Sequence, residues 1–389
     1  MAAETPPLCL PDYAGGSLVN LMSSLALGLG ATSPHPPLTL LPPQRVAAAR
    51  HVLLLVVDGL GYERLRRQTD TLRRHLTGPI SSVFPSTTAS AIPTFLTGLA
   101  PQQHGLTGWH MYFREIGAIA APLPFRLRTG RQDLREAGVN PAQLLGLPPL
   151  FDRLPRPCHV ISPHSIVHSD FNVALSGRAR RHGYGTLAEL FALLRGLLHA
   201  PEPSYLYAYW PELDSLAHAH GSGSAPVAQA LAELDEAFAG LLTEARGSDS
   251  LILVTADHGF IDTTPADTVD LDDHPDLRQT LRLPLCGEPR VAYAYVRPGC
   301  EARFEGYIRE HLADRLLLFR RDTVLDRGWL GPGPAHPALA ERLGDYVLIG
   351  QGRTILRDWL LGEERYRHVG VHGGLSASEM QVPLVALHL

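Results

Sequence analysis

The sequence predicts an α/β fold: a mostly parallel central sheet flanked by helices on both faces, with lid insertions. Three observations carry this. Short runs of leucine and β-branched residues recur along the chain and end abruptly in turn residues, as strands buried on both faces do. Helix-permissive stretches separate the runs, the alternation that produces a parallel sheet. The 389 residues can bury a large core, and a prior of about 2.6 domains from length alone is equally met by one large α/β unit with insertions. The expectation is therefore one domain over residues 1–389, with an N-terminal extension (1–45), a lid insertion (111–150) and a second insertion (264–370).

Taken in order, the extension ends in a proline-rich loop, Ser33 to Pro43. The run from His51 to Val57 closes on Asp58-Gly59 and reads as the first buried strand. Tyr62 to Leu76 is arginine-rich and helix-permissive. Later strands of the same parallel kind are expected at Cys158–Ile161, Tyr205–Tyr209, Leu251–Thr255 and Val382–Leu387. Pro226 to Ala245 is an amphipathic helix with proline in its first turn. Met111 to Leu150 carries many Pro, Gly and Arg without a clear period, and residues 264–370 look less regular than the sheet.

Composition excludes several functions. The formal charge is −5, so no global basic excess exists to hold a nucleic-acid polymer or an anionic membrane, and neither is expected as a partner. The chain has no lysine: all 34 basic residues are arginine, which removes Schiff-base and P-loop lysine chemistry. No apolar run reaches the ~18 residues of a membrane span. The apolar patch from Leu18 to Leu29 is broken by Asn20, Ser23, Ser24 and Gly28, and no basic residue precedes Arg45, so the charged start of a signal peptide is missing. The four cysteines form no CxxC pair, and with them the expected compartment is the cytoplasm.

Ligands of open α/β sheets collect at the carboxyl ends of strands. Asp58 follows the first strand; Asp214 and His218, four apart, follow the third; Asp257-His258 follows the fourth; His372 precedes the last. Each has an ordinary structural explanation: an Asx turn, an i,i+4 surface pair, a loop histidine. Together they place three carboxylates and three imidazoles at strand exits, a mixed set that suits divalent zinc, with manganese the weaker choice. One further element is Phe84-Pro-Ser-Thr-Thr88, which enters a stretch of small and apolar residues ending in Thr97-Gly98. A hydroxyl at a helix N-terminus beside a metal can ionise at neutral pH, which makes this threonine a candidate nucleophile.

In this order and over residues 52 to 387, Val57-Asp58-Gly59, Phe84 to Thr88, Thr97-Gly98, Pro101-Gln-Gln-His104-Gly105, Asp214-x3-His218, Asp257-His258-Gly259 and His372-Gly-Gly resemble the alkaline phosphatase superfamily. The resemblance is to its type I phosphodiesterase/nucleotide pyrophosphatase branch and implies an alkaline phosphatase-like fold. It implies that Asp58, Asp257, His258 and the nucleophile hold one divalent ion, and that Asp214, His218 and His372 hold a second. Counting back nine residues from Thr97 in the family's register gives Thr88 as nucleophile, not its neighbour Thr87.

The family also places an asparagine near the phosphate; here Trp109 stands at that position with His110 beside it, so these two are the candidate substrate-binding residues and His110 a substitute donor. Arg114 and Arg126 in the lid are further candidate contacts. His104, His220 and His368 are left out of the metal set, His104 being expected to order the turn after the nucleophile helix. The implied activity is metal-dependent hydrolysis of a small phosphoester through a threonine nucleophile. A phosphomonoesterase, phosphonate hydrolase or phosphomutase on the same site, or a non-catalytic metal-stabilised binding protein, are the alternatives. The sequence is silent on oligomeric state.

Overall fold

Every residue of His51–Val57 is buried, because this strand sits at the centre of a seven-stranded sheet. The computed structural model describes residues 8–130, 132–363, 365 and 367–389. In chain order the sheet's strands are β1 (His51–Val57), β2 (Leu76–Ser81), β3 (Cys158–Pro163), β4 (Arg180–Tyr184), β5 (Ser204–Trp210), β6 (Ser250–Thr255) and β7 (Gln381–His388). Across the sheet they run β2-β7-β6-β1-β5-β3-β4. β1 pairs in parallel with β5 and β6, placing His51 opposite both Ser204 and Ser250, and β3 is parallel to β4 and β5. The register aligns the exits of β1, β5 and β6, so Asp58, the start of the segment carrying Asp214, and Asp257 leave the sheet at one edge.

β7 departs from expectation. It is a strand, but it runs antiparallel to both β6 and β2. The short helix Ala377–Met380 leads into it from the carboxyl edge, where His372 lies, and a parallel return would need a crossover of about a dozen residues. The strand therefore starts at the site and runs away from it.

Helices cover the sheet in two groups. α1 (Leu18–Gly28) packs on α2 (Thr88–Thr97); α3 (Leu187–Leu198) and α4 (Glu212–His220) pack on α5 (Ala225–Glu244). The N-terminal segment, outside its first seven residues, is built into the core: α1 has Leu18, Leu21, Met22 and Leu25 fully buried. The polar residues that interrupt its apolar run fasten the proline-rich loop. Asn20 donates to the carbonyls of Tyr13 and Pro36, Ser23 donates to the His35 carbonyl, and Ser24 accepts the Leu38 N–H. No helix among the described residues is long and apolar enough to cross a membrane.

The segment 111–150 begins as a three-stranded antiparallel meander, Met111–Phe113, Ala118–Ala121 and Arg126–Leu127. Within 264–370, a four-stranded antiparallel sheet orders Cys286–Gly287, Val291–Ala294, Tyr346–Gly350 and Leu316–Arg320, and it supports apolar clusters of its own. Its strands are short, and three of them are buried on both faces, which removes the alternation by which an antiparallel strand is read. Both segments wall a cavity over the carboxyl edge of the main sheet.

Candidate active site

Glycine shapes the two turns that present the carboxylates. Gly59 has φ of 75°, in the left-handed region that L-residues rarely adopt, and a Cβ there would strike the Phe260 ring. Gly259 passes so close to the Ser378 carbonyl that a side chain would overlap it. These turns bring Asp58 and Asp257 together behind His258. Asp257 Oδ1 accepts the N–H groups of Gly59 (3.1 Å) and His258 (2.9 Å). Asp58 Oδ2 accepts the Tyr209 hydroxyl. In each carboxylate one oxygen is thus occupied by the protein, while Asp58 Oδ1 and Asp257 Oδ2 are buried without a partner.

The imidazoles show the same division. His218 Nδ1–H donates to the Gly370 carbonyl (2.8 Å), His258 Nδ1–H to its neighbour Gly259 (3.0 Å), and His372 Nδ1–H to Ser86 (3.2 Å). Because a carbonyl only accepts, Nδ1 carries the proton and Nε2 presents a lone pair. His258 Nε2 lies 3.3 Å from Asp58 Oδ1 and 3.4 Å from Asp257 Oδ2. Asp214 Oδ1, also unpartnered, lies 3.3 Å from His218 Nε2 and 3.7 Å from His372 Nε2. The rings of His258 and His372 stack at 3.6 Å. Burial holds the His258 and His372 pKa values down and that of His218 at about 4, so these contacts join neutral imidazole to carboxylate and are not ion pairs. Burial, then neighbouring negative charge, pushes Asp58 and Asp214 well above the usual carboxylate range.

Carboxyl oxygens facing imidazole lone pairs at 3.3–3.7 Å need a proton or a metal ion between them; without metal, Asp58 and Asp214 hold the proton, and divalent ions would displace it. The donor atoms form two groups, Asp58/Asp257/His258 and Asp214/His258/His372, each able to converge on one ion. Mixed oxygen and imidazole-nitrogen donors, with each ring's other nitrogen fixed by a carbonyl, are those of a divalent metal centre. His258 Nε2 is common to both groups and can serve one ion; His218 Nε2, 3.3 Å from Asp214 Oδ1, completes the other set, and the residues so divided fit two divalent ions.

Thr88 opens α2, with Thr87 in extended backbone as its N-cap. Their hydroxyls diverge: Thr88 Oγ1 lies 3.1 Å from His258 Nε2, whereas Thr87 Oγ1 donates to Glu288 Oε1 at 2.7 Å. All seven residues read as ligands or nucleophile thus meet at one place. Trp109 and His110 line the adjoining cavity, about 480 Å³ in volume. The Trp109 N–H is already given to Glu288 (2.7 Å). His110 is held by backbone bonds to Gly287, and burial with the nearby Arg128 charge pushes it down to about 3. Arg126 lines the cavity; Arg114 instead pairs with Glu341 at the surface. His104 is a neutral core histidine: its Nδ1 accepts the Leu106 N–H and its Nε2 faces Thr94, bracing the turn after α2. His368 packs on His218 with ring centroids 4.2 Å apart.

The residues that sequence reasoning missed are Tyr209, Glu288, Arg128 and Arg357. Tyr209 was read only as strand, and the other three lie in the insertions, where no spacing marks them. Burial lifts Glu288 to about 7 against the bonds from Thr87 and the Trp109 N–H, which hold it down.

A sequence model of the family described as Type I phosphodiesterase / nucleotide pyrophosphatase matches residues 52–375. The chain belongs to that family, and it is a metal-dependent hydrolase of the phosphodiesterase/nucleotide pyrophosphatase type. Among solved structures, murine ectonucleotide pyrophosphatase/phosphodiesterase 5 superposes with TM-score 0.65 at 16% identity, covering 86% of this chain and 87% of that one. Phosphonoacetate hydrolase from Sinorhizobium meliloti 1021, solved with phosphonoacetate, superposes with TM-score 0.62 at 20% identity, covering 87% and 90%. No curated protein sequence matches this chain.

Proposed function

We propose that this chain hydrolyses small phosphoric diesters by way of a phosphothreonine at Thr88. Asp58, Asp257, His258 and Thr88 would hold one divalent ion, and Asp214, His218 and His372 the other; zinc suits this donor set best, with manganese second. When bound, such a pair makes a hydroxyl and a water acidic and stabilises the entering and leaving oxygens of an in-line displacement. The chain's own part is positional. The N-terminus of α2 presents Thr88 Oγ1 to the phosphorus. A new Oγ1–P bond forms as the ester P–O bond breaks, and the departing alkoxide takes a proton. Water then cleaves the phosphothreonine from the vacated side, restoring the threonine and releasing the monoester. The lysine-free cavity leaves further charge stabilisation to arginine and backbone N–H groups. The cytoplasm is the compartment proposed, in keeping with four free thiols.

The observation that carries this reading is the convergence of unpartnered carboxylate oxygens and Nε2 lone pairs beside Thr88 Oγ1. It is supported by the murine relative, of which an inactive threonine-to-alanine form was solved with AMP. The likeness to phosphonoacetate hydrolase favours a phosphonate as second reading. The test is Thr88→Ala assayed on bis-(4-nitrophenyl) phosphate alongside elemental analysis. Turnover falls at least a thousandfold with metal content retained; undiminished turnover refutes the assignment. Phosphonoacetate assayed in parallel decides the second reading.

A further inference from the structure

Glu288 is a buried carboxylate in the wall of a cavity built to take an anion, and the mechanism above does not use it. Its surroundings fix its place closely. Oε1 receives both the Thr87 hydroxyl and the Trp109 N–H, each at 2.7 Å, so Oε2 is the oxygen left toward the cavity that Glu288 lines. Its Cβ packs on the turn after His372, where a side chain on Gly373 would touch it. Flanking backbone bridges join Ser86 to Gly373 and His110 to Gly287. Glu288 therefore stands one residue from Thr88 and one from His372. No salt bridge joins it to an arginine among the described residues.

From this placement, resting on the phosphodiesterase reading above, we infer that Glu288 is a specificity-determining residue that selects singly charged phosphoryl groups and rejects dianionic ones. Asp58, Asp214, Asp257 and an ionised Thr88 would match the four positive charges of two divalent ions, and Glu288 adds one negative charge beside the nucleophile. A phosphodiester brings one negative charge; a phosphomonoester brings nearly two above pH ~7, its second pKa being about 6. The second charge of a dianion then meets the fixed Glu288 carboxylate beside the nucleophile, and like charges at such range are unfavourable. The two donors on Oε1 lock the carboxylate in place, so it cannot swing out to admit the dianion.

The test compares wild type with Glu288→Gln, which keeps an oxygen to accept from Thr87 and Trp109 while removing the charge. At pH 8 the ratio of kcat/KM for bis-(4-nitrophenyl) phosphate to that for 4-nitrophenyl phosphate falls at least tenfold in the variant, through a gain on the monoester. A ratio that does not move, with metal-dependent turnover intact, overturns the inference and leaves the phosphodiesterase reading standing. Absence of metal-dependent turnover in wild type is failure of that reading instead. A binding measurement decides the matter independently of turnover or of how well the variant folds. Titration calorimetry of the zinc-loaded wild type finds tighter binding of dimethyl phosphate than of inorganic phosphate at pH 8, and the reverse order overturns the inference.

Discussion

Tyr209 shows how a single hydroxyl can decide what a carboxylate does. By donating to Asp58 Oδ2 it leaves Oδ1 as the free oxygen, buried and aimed at His258 Nε2. Partners of this kind typically contribute 10–100-fold to metal affinity. Tyr209→Phe is therefore expected to weaken zinc binding by about that factor, read by competition with a chromophoric chelator; unchanged affinity contradicts the role. The candidate ligands Asp58, Asp214, Asp257, His218, His258 and His372 were legible because aspartate and histidine recur at strand exits. Thr88 was separable from Thr87 only through family spacing, and the structure now separates their hydroxyls by partner. Tyr209 and Glu288 were invisible because their neighbours come from distant segments, and nothing local marks a hydroxyl or carboxylate that acts across the fold.

At the scale of elements, the parallel strands β1, β5 and β6 were readable because each is buried on both faces, and their shared register gathers the acidic turns. The direction of β7 was not readable, since a fully buried strand has the same composition whichever way it runs. The turns after β1 and β6 depend on close backbone approach. Gly259→Ala puts a methyl group into the Ser378 carbonyl; overpacking of this kind costs about 1–3 kcal/mol, so the denaturant midpoint drops. Because the same turn orients Asp257 and His258, zinc affinity falls with it. A variant that keeps both midpoint and affinity would show that the turn relaxes freely.

For the whole molecule, the metal centre couples function to stability through pH. Asp58 and Asp214 have pKa values raised well above the usual carboxylate range, first by burial. In the metal-free protein they keep protons that the unfolded chain has released. Stability is then lost as pH rises above the unfolded carboxylate value through the raised range. The buried histidines act oppositely: His218, at about 4, and His104 and His110, at about 3, stay neutral in the fold, costing stability only as pH falls below about 6.5. Binding of divalent ions, which release the protons, stabilises the native state by mass action. The difference in Tm between zinc-loaded and chelator-treated protein is thus expected to widen, in scanning calorimetry, as pH rises above the ordinary carboxylate value of 3.8. A constant difference would place these carboxylates outside the metal centre.

The amino-acid sequence alone determined the fold class and marked the candidate ligands, because both are written in local patterns: apolar runs that can only be buried, and charged residues set directly behind them. Tertiary structure alone decided which oxygen of each carboxylate is free, which threonine faces the imidazoles, how β7 runs, and that residues near 128, 288 and 357 wall the same cavity. Those outcomes are pairings between segments far apart in the chain. A hydrogen bond or a buried charge takes its meaning from the partner that folding brings to it.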